Sequence, residues 1–275
     1  DHRDLHSFPT RRSSDLAGIT ILYLLIRKFP FHWWILAGTG FAVFAILSAF
    51  AMPVLILPLF NKFTPLADGE LKEKTIELVK KAGINVKDIY VMDASSQTKK
   101  GNAYFIGLAS TTRIVLYDTL KDYSIDETLA IIAHEAGHWK YHHIIKGITM
   151  CIMAGFCFLF FLYMLLTKTG HILNISSPSD IKTLPLIILL FIIINLFSLP
   201  VQNMISRHFE RQADMTALEL TENPSACVKL EQRLAIQNLS EIRPNQFLAW
   251  VLYSHPPVME RIGMAEWYKT KKQNR

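Results

Sequence analysis

Ser124-Ile125-Asp126-Glu127-Thr128-Leu129-Ala130-Ile131-Ile132-Ala133-His134-Glu135-Ala136-Gly137-His138 is the stretch on which the reading of this 275-residue chain turns. It opens on Ser-x-x-Glu, a pair that caps the first backbone N–H groups of a helix. Apolar residues then recur at helical spacing, so the stretch is a helix. Positions i and i+4 share one helical face. His134 and His138 thus turn two imidazoles toward one point, where they can hold one Zn²⁺ per chain. Glu135 between them can hold a metal-bound water and take its proton. The competing reading is a helix with two histidines facing solvent. A catalytic zinc also needs a third protein ligand and an open position.

Outward from this helix, composition points to a membrane. Hydrophobic residues make up 51% of the chain, high for a soluble domain. Trp33–Phe60, 148–167 and 184–205 are nearly free of charge and reach the ~20 residues needed to cross a bilayer core. Aromatic residues at their ends (Trp33, Trp34, Tyr163) favour lipid over a large soluble core. Residues 17–26 are apolar but too short, and read as the remnant of a span or a re-entrant piece. The net charge of +6 is spread along the chain, with no basic block interleaved with aromatics, so nucleic acid is not an expected partner. Cys151, Cys157 and Cys227 lack metal-ligand spacing and read as packing residues. The first sixteen residues are polar and aperiodic, and are expected to be a non-native leader on a truncated chain.

The chain therefore divides into 1–16 (leader), 17–60 (transmembrane segments, the first incomplete), 61–146 (catalytic segment), 147–205 (transmembrane hairpin) and 206–275 (C-terminal helical segment). Within 61–146 the patterns predict a helix over 66–82, strands over Asp88–Met92 and Arg113–Tyr117, a third strand within 102–107, and the motif helix over 124–143. Gly170, Ser176, Ser177 and Pro178 mark the hairpin loop as a turn. One span leaves after the motif and the next returns, so residue 206 onward faces the compartment of His134. Basic residues Lys62, Lys140, Lys146, Arg207 and Arg211 near that side place it in the cytoplasm by a small excess.

The return supplies candidates for the third ligand: His142, His143, His208, Glu210, Asp214 and His255. Glu210 is the choice on position, with Asp214 one turn later on the same face and suited to accept the second N–H of a ligating histidine. Spacing alone supports equally well a charged surface face shared with Arg207 and Arg211. His142 and His143 read as interfacial residues.

The motifs Asn102-Ala103-Tyr104-Phe105, Arg113-Ile114-Val115-Leu116-Tyr117-Asp118-Thr119-Leu120, His134-Glu135-Ala136-Gly137-His138-Trp139-Lys140, Ser206-Arg207-His208-Phe209-Glu210-Arg211-Gln212-Ala213-Asp214 and His255-Pro256-Pro257-Val258-Met259-Glu260-Arg261 occur in this order. Together they resemble the type I CAAX prenyl endopeptidase family of integral-membrane zinc metalloproteases, and Pro58-Leu59-Phe60-Asn61-Lys62-Phe63 fits the same pattern. The resemblance implies a mainly α, polytopic transmembrane protein with a gluzincin-like zinc protease site and a small β-sheet. It implies Glu210 as third ligand, and seven spans of which three are visible here. It also implies His255 as an oxyanion donor with Arg261 in support, and Asn102, Ala103, Tyr104 and Phe105 as the strand on which a peptide or protein substrate, prenylated in the family's eukaryotic members, is held. A heat-shock-type membrane protease and a catalytically silent scaffold of the same fold are the alternatives. The intact Glu135 argues against the scaffold.

Overall fold

The structure is a computed structural model that describes residues 8–107, 112–169 and 177–274. Two compact units divide the chain: 1–49 with 146–196, and 50–145 with 197–275.

The first unit is built from α1 (Phe8–Lys28), α2 (Trp33–Ala51) and the adjoining parts of α6 (His143–Thr169) and α7 (Leu184–Thr221). Its buried centre is small: Ile26, Trp33, Leu162, Leu166 and Ile187. α2 and α6 interlock by placing a ring over a glycine from each side. A Cβ on Gly38 would lie 2.4 Å from the Phe156 ring, and one on Gly155 would lie 2.8 Å from Phe41. Small residues that admit a neighbour in this way are typical of helix contacts in lipid. Much of the remaining apolar surface points outward, as with Phe44, Leu47, Phe191 and Ile192. Three helical stretches, Trp33–Phe60, His143–Lys168 and Ile181–Thr221, are long and apolar enough to cross a membrane, and 6% or less of each apolar window is buried.

α1 crosses residue 16, where the sequence places the end of the leader. The helix begins at Phe8 and runs without a break through the polar stretch into 17–26. Pro9 does not prevent this, because the first turn of a helix needs no N–H there. The expected leader residues 1–7 lie outside the described residues, as do Gly170 and Ser176 of the expected turn.

The second unit carries a four-stranded sheet in the order β1-β2-β4-β3, from Phe63–Pro65, Asp88–Met92, Ala103–Ile106 and Arg113–Tyr117 in chain order. The β2–β4 pair is parallel and the others antiparallel. β2 and β4 lie where the apolar patterns predict them, and β3 falls inside the third predicted strand. β1 was not expected; Pro65 is tolerated there because β1 is an edge strand. After the short α3 (Leu57–Phe60) and β1, the helix expected from residue 66 begins later, as α4 (Glu70–Lys81), because the Leu66 N–H instead bonds the Ile89 carbonyl at 2.9 Å and prolongs the sheet.

α5 (Ile125–Lys140) packs on this sheet. Its capping box is formed: the Glu127 N–H donates to Ser124 Oγ at 3.2 Å, and the Ser124 N–H to Glu127 Oε2 at 2.8 Å. Arg233 of α8 (Pro224–Gln237) adds a 3.0 Å ion pair to Glu127. The motif helix ends earlier than expected. Tyr141 caps it, His142 takes φ 54°, and α6 starts at His143. α9 (Gln246–Leu252) and α10 (Val258–Gln273) complete the unit.

Candidate metal centre

Two helices create the site by approaching unusually closely. Gly137 of α5 meets Ala213 and Thr216 of α7, and all three are buried. A Cβ on Gly137 would lie 2.7 Å from Ala213 Cα and 3.2 Å from its carbonyl oxygen. Backbone cannot swing away as a flexible side chain can, so the glycine inside the motif sets the distance between the helices.

Across that contact, His134 and His138 of α5 face Glu210 of α7. The His134 and His138 Nε2 atoms are 3.1 Å apart. Glu210 Oε2 stands 3.3 Å from His134 Nε2, and Oε1 stands 3.5 Å from His138 Nε2. Glu210 is buried, and its Oε2 has no hydrogen-bond partner among the described residues. His134 Nδ1 lies 2.8 Å from Asp214 Oδ1. The hydrogen of that ring is therefore on Nδ1, and Nε2 offers a lone pair to the cluster. Converging lone pairs beside an orphaned buried carboxylate oxygen are stable only around a positive charge, so the residues fit a metal cation.

The electrostatics agree. Burial disfavours charge on His134, yet the carboxylates of Asp214 and Glu210 beside it outweigh that and raise its pKa to about 10. The same carboxylates would favour a metal cation at that point. Burial and then His134 push the pKa of His138 down to about 4, leaving the neutral imidazole that binds metals. Burial raises Glu135 to about 7, with Glu210 adding to the rise and His134 opposing it.

Asp214 is itself held. Arg261 Nε donates to its Oδ2 at 2.8 Å and Arg261 Nη2 to its Oδ1, while Arg261 Nη1 pairs with Glu231 at 2.8 Å. The Arg261 fork is turned toward these two carboxylates, so its geometry suits orienting Asp214 and, through it, His134. Glu231, on α8, escaped the sequence reading because a single glutamate among polar helix residues carries no signal. His255 is largely exposed; its Nε2 lies 3.5 Å from Glu210 Oε2, and its Nδ1 lies 3.0 Å from Ser254 Oγ.

A cavity of about 770 Å³ opens beside the cluster. Glu135, His255 and Asn102 line it, with Ile131, Leu218 and Leu230 giving an apolar side. Ala103, Tyr104 and Phe105 are not among its lining residues. Ala103 is buried in the core, Tyr104 packs edge-on to Tyr117, and Phe105 packs at a tilt against Trp139 at 5.9 Å. What β3 can offer a ligand is its main chain, since it is an edge strand.

An imidazole pair on one helix, a glutamate between them and a carboxylate from a second helix, joined to membrane-length helices, define a membrane protein of the metallopeptidase class. Residues 65–268 match peptidase family M48, and the chain belongs to that family. It is 36% identical over 253 residues to a Bacillus subtilis (strain 168) protein named "Uncharacterized metalloprotease YhfN", covering 90% of this chain and 59% of that one. It is 36% identical over 282 residues to CAAX prenyl protease 1 of Saccharomyces cerevisiae, covering 94% and 61%. The crystal structure of S. mikatae Ste24p matches with a TM-score of 0.81 at 28% identity, covering 94% of this chain and 64% of that one. The chain thus spans less than two thirds of the length of each. The family expected from the order of the motifs is the one found.

Proposed function

We propose that the chain is a zinc-dependent integral-membrane endopeptidase, with Zn²⁺ held by His134, His138 and Glu210. The observation that carries this reading is the spacing of the three donors. Zinc bonds of about 2.0–2.2 Å in a tetrahedron separate neighbouring ligand atoms by roughly 3.3 Å. The separations here are 3.1, 3.3 and 3.5 Å. When bound, the ion supplies a Lewis acid for the scissile carbonyl and lowers the pKa of water. Glu135, buried with a raised pKa, takes the proton of the attacking water and passes it to the leaving amine. His255, at the mouth of the cavity, donates to the developing oxyanion. Arg261 supports the reaction by holding Asp214 against His134. The extended substrate adds along the β3 edge, with Asn102 at the cavity wall meeting its backbone.

The substrate is a peptide or protein segment at the bilayer. The name of the yeast relative supplies a C-terminally prenylated CAAX-type peptide as the leading class, and the apolar side of the cavity suits a lipid-modified or apolar segment. A second reading keeps the same protease chemistry and takes membrane proteins in quality control as the substrate. The protein crosses the membrane several times with the site on the cytoplasmic side.

The test is metal content and cleavage of the detergent-purified protein. About one zinc per chain is expected, lost in Glu210→Ala. Glu135→Gln should keep its zinc and lose about 10²- to 10⁴-fold in kcat. Unchanged turnover in Glu135→Gln would overturn the mechanism. Cleavage of one peptide with and without its prenyl group separates the two substrate classes.

A further inference from the structure

The structure assigns His143 and Gln212 as a positioning pair that fixes the tautomer with which His138 meets the metal. This rests on the metal site proposed above.

Nε2 of His138 is the nitrogen that faces His134 and Glu210. For Nε2 to present a lone pair, the hydrogen of the ring must sit on Nδ1. Nδ1 lies 2.9 Å from Nδ1 of His143. One hydrogen fits between two nitrogens at that distance, so His143 Nδ1 accepts it. His143 then carries its own hydrogen on Nε2, which lies 3.0 Å from Gln212 Oε1. An amide oxygen only accepts. The chain of bonds therefore has one direction and ends on α7. His134 has the shorter version of the same device, with Nδ1 against Asp214 directly. Residues 212 and 214 of α7 thus set both imidazoles whose third partner is Glu210 of the same helix.

His143 is built into this place. It is buried, stacks on Phe209 at 4.2 Å and 10°, and stacks near Tyr141 at 5.7 Å and 15°. The break between α5 and α6 makes the contact with His138 feasible. On an uninterrupted helix, residue i+5 lies about 140° around the axis from residue i, and the two rings would not meet. His142, at φ 54°, turns the chain so that they do.

The experiment measures the zinc affinity of the full chain in detergent by competition with a chromophoric chelator. Gln212→Met keeps length and removes the acceptor; it should weaken zinc binding by about 10- to 100-fold. His143→Phe keeps the ring stacking and removes both nitrogens; it should lose a similar factor. Gln212→Glu keeps an acceptor and should bind at least as tightly as wild type. Thermal unfolding of the metal-free proteins, unchanged among the Gln212 variants, separates this from a folding defect. Wild-type affinity in Gln212→Met would overturn the assignment. So would an equal loss in Gln212→Glu, which would make the role one of shape. Absence of zinc from the wild type would instead overturn the metal site on which the assignment stands.

Discussion

The two units use polarity in opposite senses. In the unit of α1, α2 and the outer parts of α6 and α7, large apolar side chains face outward and the buried centre is five residues. In the unit of the sheet and α5, the surface carries the ordinary charged pairs, such as Lys72 with Asp68 and Lys74 with Glu70. Its interior carries Glu210, Asp214, Glu231 and Arg207 below 10% exposure. Outward apolar surface is stable where the surroundings are lipid, and buried charge is stable where every group has a partner. One chain carries both arrangements, so substitutions should be read by different rules in the two units.

The sharpest break of this contrast is Arg261→Met. It leaves Asp214 and Glu231 buried without their cation, and should cost about 3–5 kcal/mol of stability. Thermal and denaturant unfolding of the detergent-purified protein checks it, and zinc affinity should fall with it as His134 loses its oriented partner. Gly137→Ala comes next. The added methyl meets the Ala213 backbone, and overpacking of this kind costs about 1–3 kcal/mol. Because it pushes α7 from α5, it should also weaken zinc binding, read by chelator competition. Ser124→Ala removes one half of the capping box and should cost about 1 kcal/mol, seen as a lowered unfolding midpoint with the metal still bound. At the small end, Phe44→Ala and Ile192→Ala remove side chains that face outward. Each should change stability in detergent by no more than ~0.5 kcal/mol. A loss of several kcal/mol in either would show that these faces are covered by protein rather than lipid.

What could be read in advance follows the reach of each signal. β2, β4 and α5 were legible because runs of apolar residues at period two or 3.6 report local geometry, and the Ser124/Glu127 box reports where a helix starts. The three membrane-length stretches were legible because lipid leaves no room for charge along ~20 residues. The edge strand β1 was not, since three residues including Pro65 carry no pattern. The break at His142 was not, because the helical pattern runs on past it. His143 read as interfacial for the same reason, yet it lies against His138.

Sequence by itself determined the two histidines on one helical face, the glutamate between them, the spans and the family, because each of these is a local arrangement of a few residue types. It left Glu210 evenly matched with a surface charge pattern until the resemblance was taken in. Only the tertiary structure brought Glu210 across to two imidazoles more than 70 residues earlier, tied Arg261 to Asp214 and Glu231, and placed His143 behind His138. Those contacts depend on how closely two helices approach. That distance is set by Gly137 against Ala213, a property of the pair and of neither segment alone.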